Sequence, residues 1–213
     1  MFPLHLTAAA FMLFMLQYTQ TNPLRENLLC FAEDSDIKIF GGEKIKTYPK
    51  KDVAEQDADE YMQHKLSGNI DIAKDLGKDL AELVINYRSN HALAQDDSVV
   101  MLQCKVLFLH AACTCAVLNS PSSIISDNVT QVLLDTVRDE LTVVYDNYKG
   151  LGSATMYKLA EKEEHSTESI GKLFARLCSQ QEHQRYITFG IELYEAFLSE
   201  CEELCKSVSY REI

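Results

Sequence analysis

Apolar residues crowd most densely between Asp96 and Pro121, filling positions 99–102, 106–109 and most of 111–118, with Cys104, Cys113 and Cys115 among them. Asp96, Asp97 and Ser98 are N-terminal cap candidates, and Pro121 stops the run just beyond Asn119. A helix that is apolar on nearly every face has to be covered on nearly every face, so this segment predicts the centre of a helical bundle.

The remaining pattern supplies the helices that would cover it. Residues 7–18 form an apolar first helix. Asn22-Pro23 reads as an N-cap followed by proline at the first helical position of a short helix to about residue 32. Asp52-x-x-Glu55 opens a helix to Leu66, and Ser67-Gly68-Asn69 separates it from one over 70–87, whose apolar face is Ala73, Leu76, Leu80, Leu83, Val84 and Tyr87. Thr130, Leu134, Val137, Leu141, Val144 and Tyr148 alternate in steps of four and three and predict one continuous helix with a narrow seam. Ile187, Ile191, Tyr194, Leu198, Cys201 and Cys205 repeat that spacing. Between these, Gly150-Leu151-Gly152 starts a helix to about Glu164, and Ser166 caps another that carries Ile170, Leu173, Phe174 and Leu177.

Only residues 37–48 alternate at the period of a strand, with Gly41-Gly42 at the turn, which allows a small β-hairpin insertion. The expected architecture is all-α: a single domain over 1–213, a bundle of about seven or eight helices around the central apolar helix.

Composition narrows the function more than it defines it. Gly (8) and Pro (4) are scarce, as long helices with few tight turns require. A formal net charge of −12 disfavours general binding to nucleic acid or to anionic lipid. The seven cysteines sit mostly in apolar helical runs, which points to reduced, buried thiols in a cytoplasmic protein rather than a disulfide scaffold. The first 24 residues carry no Lys, Arg, Asp or Glu and hold an apolar stretch as long as a signal-peptide core. The basic leader and small-residue cleavage site of an exported or anchored protein are missing, so a buried first helix is the preferred reading. Asn128-Val129-Thr130 would matter as a glycosylation sequon only in an exported chain.

Several constellations bear on chemistry. Lys38, Lys44, Lys46, Lys50 and Lys51 face only Glu43 between residues 37 and 51, a locally basic island that includes Tyr48. Such an island suits an acidic partner, a phosphate group or a second copy of the chain, and edge lysines that discourage strand pairing explain it as simply. Tyr87, Arg88 and His91 cluster where a helix ends, either as a contact loop or as a C-terminal cap.

Asp57-x-x-Glu60 and Asp79-x-x-Glu82 each place two carboxylates on one helix face. On facing helices such pairs can hold Mg²⁺ or Mn²⁺ and activate water against a phosphoanhydride. The arrangement is similar to that of all-α nucleotide pyrophosphohydrolases, with the residue types swapped. The same residues serve equally as solvated helix faces, and Glu161-x-x-Glu164 with Glu192-x-x-Glu195 offers a second pairing of the same kind. Gln103, His110 and Thr114 fall on one stripe of the central helix, either facing a ligand pocket or as ordinary paired polar groups.

No phosphate loop, nucleophile elbow or paired-histidine metal motif is present. The expectation is a non-enzymatic intracellular interaction or binding protein without a cofactor, engaging a protein partner or itself as a homodimer. The alternatives are a Mg- or Mn-dependent hydrolase of phosphorylated small molecules and an exported or anchored helical protein.

Overall fold

The computed structural model describes residues 53–95 and 97–213. The expected helices at 7–18 and 22–32, the hairpin at 37–48, the basic island and Asp96 lie outside the described residues. The described helices belong to one compact unit, Lys50–Ile213. They are α1 (Val53–Leu66), α2 (Asn69–Asn86), the single turn α3 (Ala92–Gln95), α4 (Ser98–Asn119), α5 (Ser123–Glu140), the single turn α6 (Thr142–Tyr145), α7 (Ser153–Ala160), α8 (Ser166–Leu177) and α9 (Gln184–Ser207). A π-helical turn, Asp146–Gly150, follows α6. No strand occurs among the described residues.

The central helix is α4. Asp97 caps it, its side chain accepting from the amides of Val99 and Val100 at 2.8 and 3.2 Å. By length and composition α4 could cross a bilayer, yet 78 % of its most apolar window is buried inside the bundle. The paired helices α2 and α5 pack against it, as do the paired helices α8 and α9. Its flanks are closed by aromatic contacts. Phe108 lies parallel to Phe197 of α9, with centroids 4.1 Å apart, and Tyr87 meets both rings edge-on. The six described cysteines are free and buried, as small apolar residues of this core.

Both helix pairs close through glycine. A Cβ on Gly77 of α2 would lie 2.6 Å from the Val129 carbonyl oxygen and 2.9 Å from Val132 Cβ of α5. One on Gly171 of α8 would lie 2.7 Å from the Ile187 carbonyl oxygen of α9. Alanine normally improves a helix interior by about 1 kcal/mol over glycine. At Gly77 backbone atoms stand in the way, so α2 and α5 must separate. Gly77→Ala is expected to lower stability by about 1–3 kcal/mol, the cost of overpacking. A fall in the urea midpoint at unchanged slope would show this, and a rise would mean the pair can open without loss.

Two departures from the expected elements shape the site. The seam over 130–148 is not one helix: α5 ends at Glu140, and Leu141 takes φ −134° and ψ 58° before the chain resumes as α6 and the π-helical turn. The helix expected to reach Glu164 stops at Ala160, leaving Glu161 at its C-cap.

The C-terminal segment returns to the turn between α1 and α2. Asn69, fully buried, donates from Nδ2 to the Arg211 carbonyl oxygen and accepts from the Arg211 amide, both at 2.8 Å. The Arg211 guanidinium donates to the Ser67 carbonyl oxygen at 2.9 Å. His64 sits beneath this clasp, with Nε2 3.1 Å from Ser122 Oγ and 3.6 Å from the Glu60 carboxylate.

Candidate functional site

Polar side chains converge at one place inside the bundle, beside α4. His110 and Thr114 are four residues apart and share a helix face. Glu161 at the end of α7 reaches them, and its Oε1 gathers three neighbours. Thr114 Oγ1 donates to it at 2.9 Å and Tyr194 OH of α9 donates at 2.7 Å. His110 Nε2 stands 2.9 Å away, close enough for an ion pair but without the linear N–H···O alignment of a hydrogen bond. On the other edge of the imidazole, Nδ1 lies 3.4 Å from Tyr148 OH. The Tyr157 ring stacks on the imidazole with centroids 5.0 Å apart. His110 is 0 % exposed.

Backbone irregularity builds this arrangement. Were 130–148 one straight helix, Tyr148 would continue the seam of α5. The break at Leu141 and the wide π-helical turn instead carry its ring over α4. Single π-helical turns of this kind recur where a helix must re-aim a side chain. The early end of α7 likewise frees Glu161 from the helical register.

Environment sets the chemistry of each group. Burial pushes the Glu161 carboxyl up, but His110, Tyr194 and Thr114 together outweigh it and bring it down to about 2. Burial, joined by Cys113 and the Glu161 charge, holds the Tyr148 phenol far above its ordinary range. Burial pushes the Cys113 thiol up to about 11, against the opposing pull of a Tyr148 hydrogen bond and of Lys149 and Lys158.

A pH dependence follows. The folded Glu161 carboxyl binds its proton less readily than the unfolded one. Its contribution is therefore complete above about pH 4.5 and is lost as pH falls toward 2. With solvent screening at this partly exposed group, the loss is expected to be at most about 2 kcal/mol. Urea titrations at pH 5, 4 and 3 should show a steeper decline for the natural chain than for Glu161→Gln. Parallel declines would remove Glu161 as the source.

A cavity of about 350 Å³ opens against this network. His110, Thr114, Tyr148 and Glu161 form its polar floor; Val117, Leu134 and Ala154 wall it; Lys149, Lys158 and Lys162 stand around it. Thr130 Oγ1, on α5, is buried in the lining and has no hydrogen-bond partner. Two other hollows, of about 400 and 540 Å³, have no buried polar side chain in their walls.

The residues expected to carry function are distributed differently. His110 and Thr114 of the polar stripe reach the cavity, whereas Gln103 is buried elsewhere in α4 with its Oε1 unpartnered. Asp79, Glu82 and Tyr87 border a different groove, with Phe108 and Glu200. Glu60 lies near His64, and Asp57 is exposed on α1. Asp57, Glu60, Asp79 and Glu82 are thus not gathered around one point. Among the described residues, no group of three or more His, Cys, Asp or Glu side chains is arranged to hold a metal ion.

Arg88 turns back to donate to the carbonyl oxygens of Ile85 and Tyr87, at 3.2 and 2.9 Å, and so caps α2. The His91 ring stacks on Phe189 at 4.1 Å, and its Nδ1 accepts from the Leu93 amide. Lys38, Lys44, Lys46, Tyr48, Lys50 and Lys51 lie outside the described residues. Glu161, Tyr148, Tyr157 and Tyr194 are site residues that sequence reasoning did not join to His110. The only signal was Glu161 in a carboxylate pair, a pairing the site does not use.

Comparison with protein-family models, with curated proteins and with solved structures finds no match to this chain.

Proposed function

We propose that this chain is a non-enzymatic binding protein whose ligand occupies the cavity beside His110. One observation carries this reading: a hollow of about 350 Å³ combines apolar walls with a few convergent polar groups, one of them a fully buried histidine. Ligand sites of helical proteins have this make-up and this scale.

Electrostatics favour binding over catalysis. A carboxylate held at about 2 is a poor general base, and a thiol pushed to about 11 is a poor nucleophile at neutral pH. Glu161 Oε1 already accepts from Thr114 and Tyr194, so it is committed within the protein rather than to a reacting atom.

The test is a thermal-shift screen of the full chain against neutral and charged small molecules, with Ala154→Phe as the blocked control. Ala154 is half-buried in the cavity wall, so a phenyl ring there fills space a ligand would take. A stabilising ligand should raise the midpoint of the natural chain, since binding to the folded state alone adds RT ln(1 + [L]/Kd). The variant should unfold at its usual midpoint but lose that response. A screen without stabilisers, or equal responses from both proteins, would overturn the reading.

A further inference from the structure

We infer that the cavity beside His110 takes an organic anion: an acidic head held among Lys149, Lys158 and Lys162, and an apolar body lying along Val117 at the mouth and reaching inward to Leu134. This inference rests on the binding reading and adds the ligand's charge and polarity.

Charge accounting comes first. The protein carries a formal −12, so positive charge gathered at one opening is against the general trend. Lys78, Lys172 and Lys206 each pair with a carboxylate three or four residues away on their own helix. Lys65, Lys74, Lys149, Lys158 and Lys162 make no ion pair among the described residues, and the last three of these border this cavity together. Lys149 and Lys158 already act inward electrostatically, since both favour the charged form of Cys113. The one carboxylate in the lining, Glu161, has its Oε1 committed to Thr114 and Tyr194, and the three lysines outnumber it around the cavity.

The apolar lining sets the rest of the ligand. Val117 and Leu118 are 59 % and 75 % exposed beside the lysines, an apolar surface next to cationic side chains. Lysine stems extend such a surface while their ammonium groups stay in water. Deeper in, Thr130 Oγ1 is buried with no partner, and His110 Nε2 has only the poorly aligned Glu161. Buried polar atoms left in this state are uncommon and cost free energy until something satisfies them. A ligand with one hydrogen-bonding group at its inner end would do so. A wholly inorganic anion would leave the apolar walls empty, and a neutral amphipath would leave the lysines without a counter-charge.

Sodium decanoate, decanol and inorganic phosphate are the probes, titrated calorimetrically into the full chain and into the double variant Lys158→Glu, Lys162→Glu. Both lysines are exposed, so the variant should fold, which its unliganded melting midpoint checks. Decanoate should bind at least about tenfold more tightly than decanol, and the double variant should weaken decanoate by about tenfold while leaving decanol nearly unchanged. Added NaCl should weaken decanoate alone. Equal binding of decanoate and decanol would overturn the anion assignment and leave the cavity as a ligand site. Phosphate binding as strong as decanoate would overturn the apolar body. Failure of all three probes would overturn this inference, while the binding reading stands or falls on the thermal-shift screen against Ala154→Phe.

Discussion

Replacing Glu161 by leucine is expected to cost about 3 kcal/mol of folding stability, although the residue is neither in the core nor on a regular helix. The loss comes from its neighbours. Thr114 and Tyr194 each donate to Oε1, and His110 stands 2.9 Å from it with 0 % exposure. Leucine removes the acceptor that Thr114 and Tyr194 share and sets an apolar group beside the imidazole. A buried donor left without a partner costs about 1–3 kcal/mol. Water entering from the cavity can replace part of the loss, which sets the estimate below the upper end of two such costs. Glu161→Gln keeps an acceptor oxygen and should lose less. The informative measurement is a double-mutant cycle in urea with Glu161→Leu and Tyr194→Phe. Coupling of about 1 kcal/mol or more is expected; additive effects would mean that the cluster is only a set of adjacent polar groups.

Phe108→Ala should be at least as damaging, by about 3–5 kcal/mol. Phe108 is 1 % exposed, stacked on Phe197 and met edge-on by Tyr87 at 5.6 Å. It joins α4 to both α9 and the end of α2, so truncation opens a void where three elements meet. Phe108→Leu keeps most of the volume and should cost about 1–2 kcal/mol, the difference reporting the stacked geometry. Stabilities of single domains are about 5–15 kcal/mol, so the alanine variant should show a large fall in its urea midpoint by circular dichroism. A loss under about 1 kcal/mol would mean that Tyr87 and Phe197 collapse into the vacated space.

The helical architecture was legible because its cause is local and periodic. Asp97 and Ser98 marked the start of α4, Pro121 its end, and the apolar surround of that run required a central position; the structure has all three. Gly68 and Asn69 lie where α1 gives way to α2. The site was less legible because its cause is long-range. His110 and Thr114 could be paired from spacing alone, but Glu161 is 51 positions from His110 and sits just past the end of a different helix. The seam over 130–148 concealed the decisive local event. An unbroken four-three repeat is what a straight helix would show, yet the chain breaks at Leu141 and Tyr148 turns toward His110. Periodicity records which residues are buried, and Tyr148 is buried in either case; it does not record which neighbour buries them.

The clasp between Asn69 and Arg211 has a kinetic side. It joins residues 142 positions apart by a short polar contact at the edge of the bundle. Closing so long a loop carries an entropic cost that only a few hydrogen bonds repay, so the contact gains its value once the helices between have assembled. In refolding it should therefore close late, and in the native protein it should open without the bundle coming apart. The Arg211 amide should exchange its hydrogen far sooner than those of α4, and the order of those two events would time the last step of assembly.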